Sequence, residues 1–260
     1  MSDLNGKVAL ITGASSGIGA ATAELFASLG AKLSLTGRNE VNLKLVADEC
    51  KRIGPADAEP PLMVLAELCS ESDVTNLVDA TIKKFGRLDI LVNNAGIAVL
   101  DTIESTSLEN YDRIMNTNLR SVFHLTMLCV PHLIETRGNI VNVSSFAGTR
   151  VLHGMLSYCM SKAAMDQMTS CIALELASKG VRVNSVNPGV IVTECQKRAG
   201  LSDDDNAKFL QKAEENHPLG RVGDPAEVAQ AIAFLASSNA SFITGEQLHV
   251  DGGMHTVCWR

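Results

Sequence analysis

What constrains this chain most is an alternation. Short aliphatic and β-branched runs take turns with longer segments whose apolar residues recur at helical spacing, from residue 8 to residue 250. Val8–Thr12 (VALIT) is the first such run. A glycine-rich turn, GASSGIG, follows, and Ala20–Gly30 has helical spacing closed by its glycine. Ala31–Gly37 reads as the second strand, Asn39–Ile53 as an amphipathic helix stopped at Gly54-Pro55, and Pro60–Leu68 as the place of a third strand. A helix over Ser72–Phe85, closed by Gly86, leads to a fourth strand, Leu88–Val92, which breaks at Asn93-Asn94. One long helix is expected over Leu108–Leu133, with Pro131 near its end, then a strand at Asn139–Val143. Ser157–Ser178 reads as a long helix stopped by Gly180, and Val181–Val186 as a strand broken by Pro188-Gly189. Thr193–Pro218 is polar, acidic and partly helical, Pro225–Ser237 is helical, and Glu246–Val250 is a last short strand.

Strands separated by helices imply a parallel sheet covered on both faces. The expected class is therefore α/β: a Rossmann-like, doubly wound sheet of about seven strands. No repeat, low-complexity tract or linker divides the 260 residues, so they read as a single domain with an insertion at about 193–218.

Composition narrows the partners. Lys and Arg number 22 against 29 Asp and Glu, a net charge of −7 without a basic run, which excludes nucleic acid and anionic membranes as partners. Aromatics are 4%, with Tyr111 and Tyr158 the two tyrosines, too few for base-stacking or sugar-stacking surfaces. The cysteines, Cys50, Cys69, Cys129, Cys159, Cys171, Cys195 and Cys258, are odd in number and form no C-x-x-C pair, so neither a disulfide framework nor a zinc site is expected. The histidines are scattered, and no metal site is expected. No apolar stretch has the length of a membrane span, and no signal peptide is expected ahead of the first strand. A reducing cytoplasm is the expected location, which makes the sequons at Asn142 and Asn239 chance matches.

Two constellations carry chemistry. Gly13–Gly19 joins the first strand to the first helix, where glycines let the backbone approach a ligand and the helix N-terminus favours an anion. That makes a pyrophosphate cradle at the carboxyl edge of the sheet, although the spacing is G-x-x-x-G-x-G. An NAD site carries an acid at the end of the second strand; here Leu35-Thr36-Gly37-Arg38 ends in a cation suited to a 2′-phosphate, so NADP(H) is preferred and NAD(H) is possible. Tyr158 and Lys162 lie four apart in a helical segment and share a face. An ammonium there favours the phenolate and draws the tyrosine toward useful proton exchange. Ser144-Ser145 ends the fifth strand, where a hydroxyl can donate to a carbonyl oxygen.

With these motifs the chain closely resembles the short-chain dehydrogenase/reductase family, in the single-domain branch that includes 3-oxoacyl-carrier-protein reductases and carbonyl reductases. The matching motifs run from about Leu4 to Gly253: TGASSGIG, NNAG at Asn93–Gly96, Asn118-Leu119, VSS ending at Ser145, Tyr158-x-x-x-Lys162, Asn187-Pro188-Gly189 and VDGG at Val250–Gly253. Ser145 and Tyr158 stand thirteen apart, as in the family.

The resemblance implies roles. Tyr158 is the general acid in reduction and the base in oxidation. Lys162 binds the nicotinamide ribose and lowers the tyrosine pKa, Ser145 orients the substrate carbonyl, and Asn118 holds a water linking Lys162 to solvent. Asn116 is read as structural. Gly13, Ser15, Ser16, Gly17, Ile18 and Gly19 form the phosphate loop. Asn94, Ala95 and Gly96 line the adenine-side ribose, and Pro188, Gly189, Ile191 and Thr193 hold the nicotinamide.

One position departs from the pattern. The family places Asp-Val after the third strand to meet the adenine; alignment puts Glu67-Leu68 there, and Asp73-Val74 lies too close to NNAG. His153 and Cys195 are candidate substrate contacts, with Gln196 and Arg198 beside Cys195 in a segment that is a substrate lid in the family.

Leu119–Leu133 and Ala163–Leu176 are apolar on more than one face, and the resemblance implies that they pair across subunits of a homotetramer. The expected activity is an NADP(H)-dependent oxidoreductase acting on a carbonyl or secondary alcohol, as a ketone or 3-oxoacyl-type reductase. The alternatives are an NAD-dependent alcohol or steroid dehydrogenase, or a catalytically silent NADP-binding scaffold.

Overall fold

A computed structural model describes residues 3–194 and 202–257. Among the described residues seven strands form one sheet: β1 (Val8–Thr12), β2 (Lys32–Gly37), β3 (Leu62–Leu65), β4 (Ile90–Asn93), β5 (Asn139–Val143), β6 (Arg182–Pro188) and β7 (Gln247–Val250). Their order is β3-β2-β1-β4-β5-β6-β7, and every neighbouring pair is parallel. Between them run α1 (Gly17–Ser28), α2 (Glu40–Ile53), α3 (Glu71–Phe85), α4 (Leu108–Met115), α5 (Ser121–Thr136), α6 (Leu156–Leu176), α7 (Asp203–Asn216) and α8 (Pro225–Ala236).

Side chains of a strand alternate between faces. Ala9 and Ile11 of β1, Ile90 and Val92 of β4, and Val141 and Val143 of β5 join Phe26, Leu43 and Ile232 in one core. Val8 and Leu10, Leu91, and Ile140 face the other side, onto Leu77, Leu125 and Leu176. Covering both faces is why the central strands read as unbroken apolar runs. β3 is the outer edge, and its burial alternates, leaving Met63 and Leu65 partly exposed.

The chain leaves β1 outward to β2 and β3, then returns to place β4 on the other side of β1. The loops after β1 and β4 therefore part, and ligands gather in such a crevice.

The structure differs from expectation in one informative place. The helix expected over Leu108–Leu133 is interrupted by a π-helical turn at Asn116–Arg120, between α4 and α5. A π turn inserts an extra residue and rotates the following side chains. Here it sets Asn118, fully buried, against the backbone of Ile97. β6 also runs two residues past its expected end: Pro188 pairs with Val250, and Gly189 N donates to Val250 O at 3.1 Å.

Candidate active site

The site is built at the carboxyl ends of β1, β4, β5 and β6. After β1, Gly13 has φ +63°, and a Cβ there would lie 2.8 Å from Asn94 Nδ2 and 3.0 Å from Ala95 Cα. Gly19 is tighter still, since its Cβ would fall 2.3 Å from Gly13 O and 2.5 Å from Asn94 Nδ2. Glycine at both positions lets the first turn of α1 close onto the β4 loop. Polar bonds fix the join. Thr12 Oγ1 accepts from Asn94 N (2.9 Å) and Ala95 N (3.0 Å), and Asn94 Nδ2 donates to Thr12 O (2.8 Å).

Ser16 is the N-cap of α1 but makes no side-chain cap bond, whereas Asn39, Ser70, Ser107 and Ser202 each cap their helices. The cradle thus leaves the helix's leading N–H groups to an external acceptor, which fits the pyrophosphate of a dinucleotide. Gly17 (φ +55°) brings this turn against Thr193, whose Cγ2 would be 3.1 Å from a Cβ.

At the end of β2, Arg38 meets Glu67: the ion pair spans 3.5 Å and both side chains are exposed. The structure therefore brings together the residues read as binding the adenine half. Asp73 serves the backbone instead. It accepts from Glu67 N at 2.9 Å and from Ser70 Oγ at 3.0 Å, and these donors hold its carboxyl below the ordinary carboxylate range.

The chemical centre lies under β4 and β5. Lys162 is 4% exposed; its Nζ donates to Val143 O at 2.9 Å and lies 5.7 Å from the centroid of the Tyr158 ring. Asn118 Nδ2 donates to Ser161 Oγ at 3.1 Å, and Ser161 Oγ donates to Tyr158 O at 2.7 Å. Gly96 passes between these groups, its Cβ position 3.4 Å from Asn118 Oδ1 and 3.6 Å from Lys162 Nζ. Ser145, buried at the end of β5, accepts from Ala147 N at 3.1 Å. Its carbonyl accepts from Asn187 Nδ2 at 3.0 Å, tying the end of β5 to the end of β6. Asn118, Ser145, Tyr158 and Lys162 are thus carried on the π turn, β5 and one face of α6.

A family profile described as Enoyl-(Acyl carrier protein) reductase matches residues 13–255. The chain is 39% identical over 252 residues to the 3-oxoacyl-[acyl-carrier-protein] reductase of Thermotoga maritima, covering 96% of this chain and 98% of that one. It is 40% identical to the enzyme of the same name from Vibrio cholerae, covering 98% and 100%. A solved short-chain dehydrogenase/reductase of unknown function from Caenorhabditis elegans, with cofactor, superposes with TM-score 0.91 at 36% identity, covering 98% and 97%. One from Mycobacterium marinum gives 0.89 at 34%, covering 97% and 96%. This chain belongs to the short-chain dehydrogenase/reductase family. It is an oxidoreductase.

Other short-chain dehydrogenase/reductase positions expected from the sequence fall as follows. His153 is exposed on the turn before α6. Cys195, Gln196 and Arg198 lie outside the described residues. Leu68 follows Glu67 beyond β3, and Ile191 bridges to Gly223.

Two residues that no sequence motif marks hold this machinery. α6 begins at Leu156 with Met155, which cannot cap, at its N-cap, and Asp101 supplies the missing acceptor from the β4 loop. Asp101 Oδ1 accepts from Ser157 N at 3.1 Å, and Oδ2 accepts from Thr106 Oγ1 at 2.9 Å and from Ser157 Oγ. His217, 3% exposed, joins the end of α7 to the loop after β6. Its Nδ1 donates to Ala213 O at 2.6 Å, and its Nε2 accepts from Val190 N at 3.3 Å. A Cβ on Gly189 would lie 2.8 Å from that Nε2, so this loop is shaped to the imidazole.

Proposed function

We propose that this chain is an NADP(H)-dependent reductase of a ketone or 3-oxoacyl-type carbonyl, transferring hydride between nicotinamide and a carbonyl or secondary alcohol. The observation that carries the reading is the pairing of Tyr158 with the buried Lys162 on one face of α6, beside Ser145. The relatives named for 3-oxoacyl-carrier-protein reduction support it over their full length.

When bound, the dinucleotide supplies or takes up the hydride. Every other part of the reaction belongs to this chain. Gly13, Ser15, Ser16, Gly17, Ile18 and Gly19 hold the pyrophosphate, and Arg38 binds the 2′-phosphate with Glu67-Leu68 beside it. Asn94, Ala95 and Gly96 line the ribose, and Pro188, Gly189, Ile191 and Thr193 hold the nicotinamide end. Ser145 donates to the substrate oxygen and shares the charge that develops there. Tyr158 gives that oxygen its proton, and the Lys162 ammonium stabilises the phenolate left behind. Asn118 holds the water through which Lys162 exchanges protons with solvent.

The chain acts as a single domain whose lid spans about residues 193–218, with α7 in it. Phe123, Met127 and Leu174 are exposed on α5 and α6, and a homotetramer would cover them. We place the enzyme in the cytoplasm; among the described residues no helix is long and apolar enough to cross a membrane.

The test follows NADPH oxidation at 340 nm with ketones, diketones, quinones, sugars and β-ketoacyl thioesters. Turnover with at least one class, a higher kcat/KM for NADPH than for NADH, and loss of about a hundredfold or more in Tyr158→Phe with NADPH binding retained are expected. Equal or better use of NADH favours the NAD-linked dehydrogenase reading. Absence of turnover with bound NADPH favours a scaffold. A fully active Tyr158→Phe variant overturns the assignment.

A further inference from the structure

Two turns beyond Tyr158 and one beyond Lys162, on the same face of α6, lies a third polar side chain with no part in the proton transfer. Asp166 is 3% exposed. Its Oδ2 accepts from Asn187 Nδ2 at 2.8 Å, its Oδ1 lies 3.4 Å from Ser185 Oγ, and the Ser144 hydroxyl is also in reach.

The Asn187 amide spends one hydrogen on this carboxylate and the other on Ser145 O at 3.0 Å. Asn187 Oδ1 in turn accepts from Ser185 Oγ at 2.9 Å. The turn after Ser145 is shaped to the same group. A Cβ on Gly148 would fall 2.1 Å from Asp166 Oδ2 and 3.1 Å from Lys162 O. One buried carboxyl thus joins the helix of Tyr158 and Lys162, the strand end of Ser145, and the strand end that leads into Pro188-Gly189.

We propose that Asp166 is a positioning residue for the reaction: it sets Ser145 and the loop after β6 in register with Tyr158 and Lys162. This rests on the reading of Tyr158 as proton donor. Buried polar groups demand partners, and satisfied networks of this kind fix a unique arrangement of the elements they join. Without the carboxylate, one Asn187 N–H has no acceptor, and the Ser145 carbonyl is held by an amide free to turn. Burial pushes the Asp166 carboxyl up, while Ser144, Asn187, Lys162 and Ser185 oppose that shift. His249 on β7 is the other titratable group that feels its charge. Displacements of an ångström between reacting groups cost rate far more than they cost binding.

Two variants test the proposal from opposite sides. Asp166→Ala removes the acceptor; Gly148→Ala leaves Asp166 in the chain and drives a methyl into its carboxylate. NADPH binding is measured by cofactor fluorescence, and kcat and KM for a ketone turned over by wild type are expressed per NADPH-binding site. Each variant is expected to lose about tenfold or more in kcat. The Kd for NADPH and the ketone KM should stay within about threefold, because the groups that touch them remain. Either variant that folds and keeps wild-type kcat overturns the proposal. So does a loss of turnover matched by an equal loss of binding sites, the mark of a purely structural role. Tyr158→Phe run alongside separates the failures. If it is fully active, the site reading falls; if it is inactive while Asp166→Ala is not, only the positioning role falls.

Discussion

Removing Asp101 should damage the start of the catalytic helix by an amount that can be worked from its contacts. Met155 sits at the N-cap position of α6 without a side-chain acceptor, so Asp101 caps the helix from another loop. Loss of a capping side chain costs about 1 kcal/mol. The carboxylate also takes the hydroxyls of Ser157 and Thr106 in a site 3% exposed. Losing a hydrogen bond to a charged acceptor costs roughly 1.5–3 kcal/mol, and because the two hydroxyls share one carboxylate oxygen this part is taken once. Asp101→Ala should then be destabilised by about 3 kcal/mol, or roughly 6–12 °C in Tm for a chain of this size. Asp101→Asn keeps an acceptor for Ser157 N and an N–H for Thr106 Oγ1, and should lose only about 1 kcal/mol. Urea unfolding followed by circular dichroism reads both. The refuting results are Asp101→Ala within about 0.5 kcal/mol of wild type, the noise of neutral surface substitutions, or Asp101→Asn falling as far as Asp101→Ala.

Two further outcomes follow from the geometry. Asp89 is buried at the amino end of β4, where it bonds Arg87 Nε at 2.9 Å, Val8 N at 3.0 Å and Lys7 Nζ at 3.3 Å. Burial pushes its carboxyl up, but Arg87, Val8 N–H and Lys7 together hold it below the ordinary range. A folded-state value below the unfolded one gives stability that is present above the unfolded pKa of about 4 and is lost as pH falls through the folded value. Asp89→Asn should therefore cost about 2 kcal/mol at pH 7, and urea titrations at decreasing pH should see that gap close; a gap independent of pH contradicts the pairing. Gly19→Ala places a methyl 2.3 Å from Gly13 O, so the phosphate turn must shift. It should cost about 1–3 kcal/mol and weaken NADPH binding by tenfold or more. Gly86→Ala, with nothing within 4 Å of its Cβ, bears only left-handed backbone strain and should leave NADPH affinity unchanged in the same fluorescence titration.

Local periodicity makes part of the site legible in the sequence. Tyr158 and Lys162 share a face because a helix repeats every 3.6 residues, and Ser145 lies at a sheet edge because its strand is a short apolar run. The glycines of the β1 turn are legible for the same reason. The π turn is not, because the weak helix formers Asn116, Thr117 and Asn118 do not by themselves specify a wider turn, and the Ile97 backbone that Asn118 bonds lies about twenty residues back in the chain. Asp101, Asp166 and His217 act across separations that no spacing rule reaches. Faint signals are present nonetheless. The helix read from Ser157 begins in the structure at Leu156, one residue earlier, which puts Met155, a poor cap, at its N-cap and calls for an acceptor from elsewhere. Gly148 has no long helix to end, which points to close approach by a neighbour.

The ion pair between Arg38 and Glu67 bears on how an acidic chain could hold a phosphate. Both side chains are exposed and 3.5 Å apart. Exposed pairs of this kind contribute about 0–1 kcal/mol, so releasing Arg38 to another acceptor costs little. A phosphate offers the planar guanidinium two parallel, charge-assisted bonds, which are shorter and stronger than one long contact to a carboxylate. Glu67 therefore does not disqualify Arg38 as a phosphate ligand. Its negative charge does oppose a dianion more than a ribose hydroxyl, and that opposition is screened over about 10 Å at ordinary salt. The adenine half accordingly carries a graded preference for the 2′-phosphate in our proposal rather than strict rejection of NAD(H); because salt screens the Arg38 attraction as well as the smaller Glu67 repulsion, the ratio of kcat/KM for NADPH over NADH should fall as ionic strength rises, and a ratio that rises with salt contradicts Arg38 as the 2′-phosphate ligand.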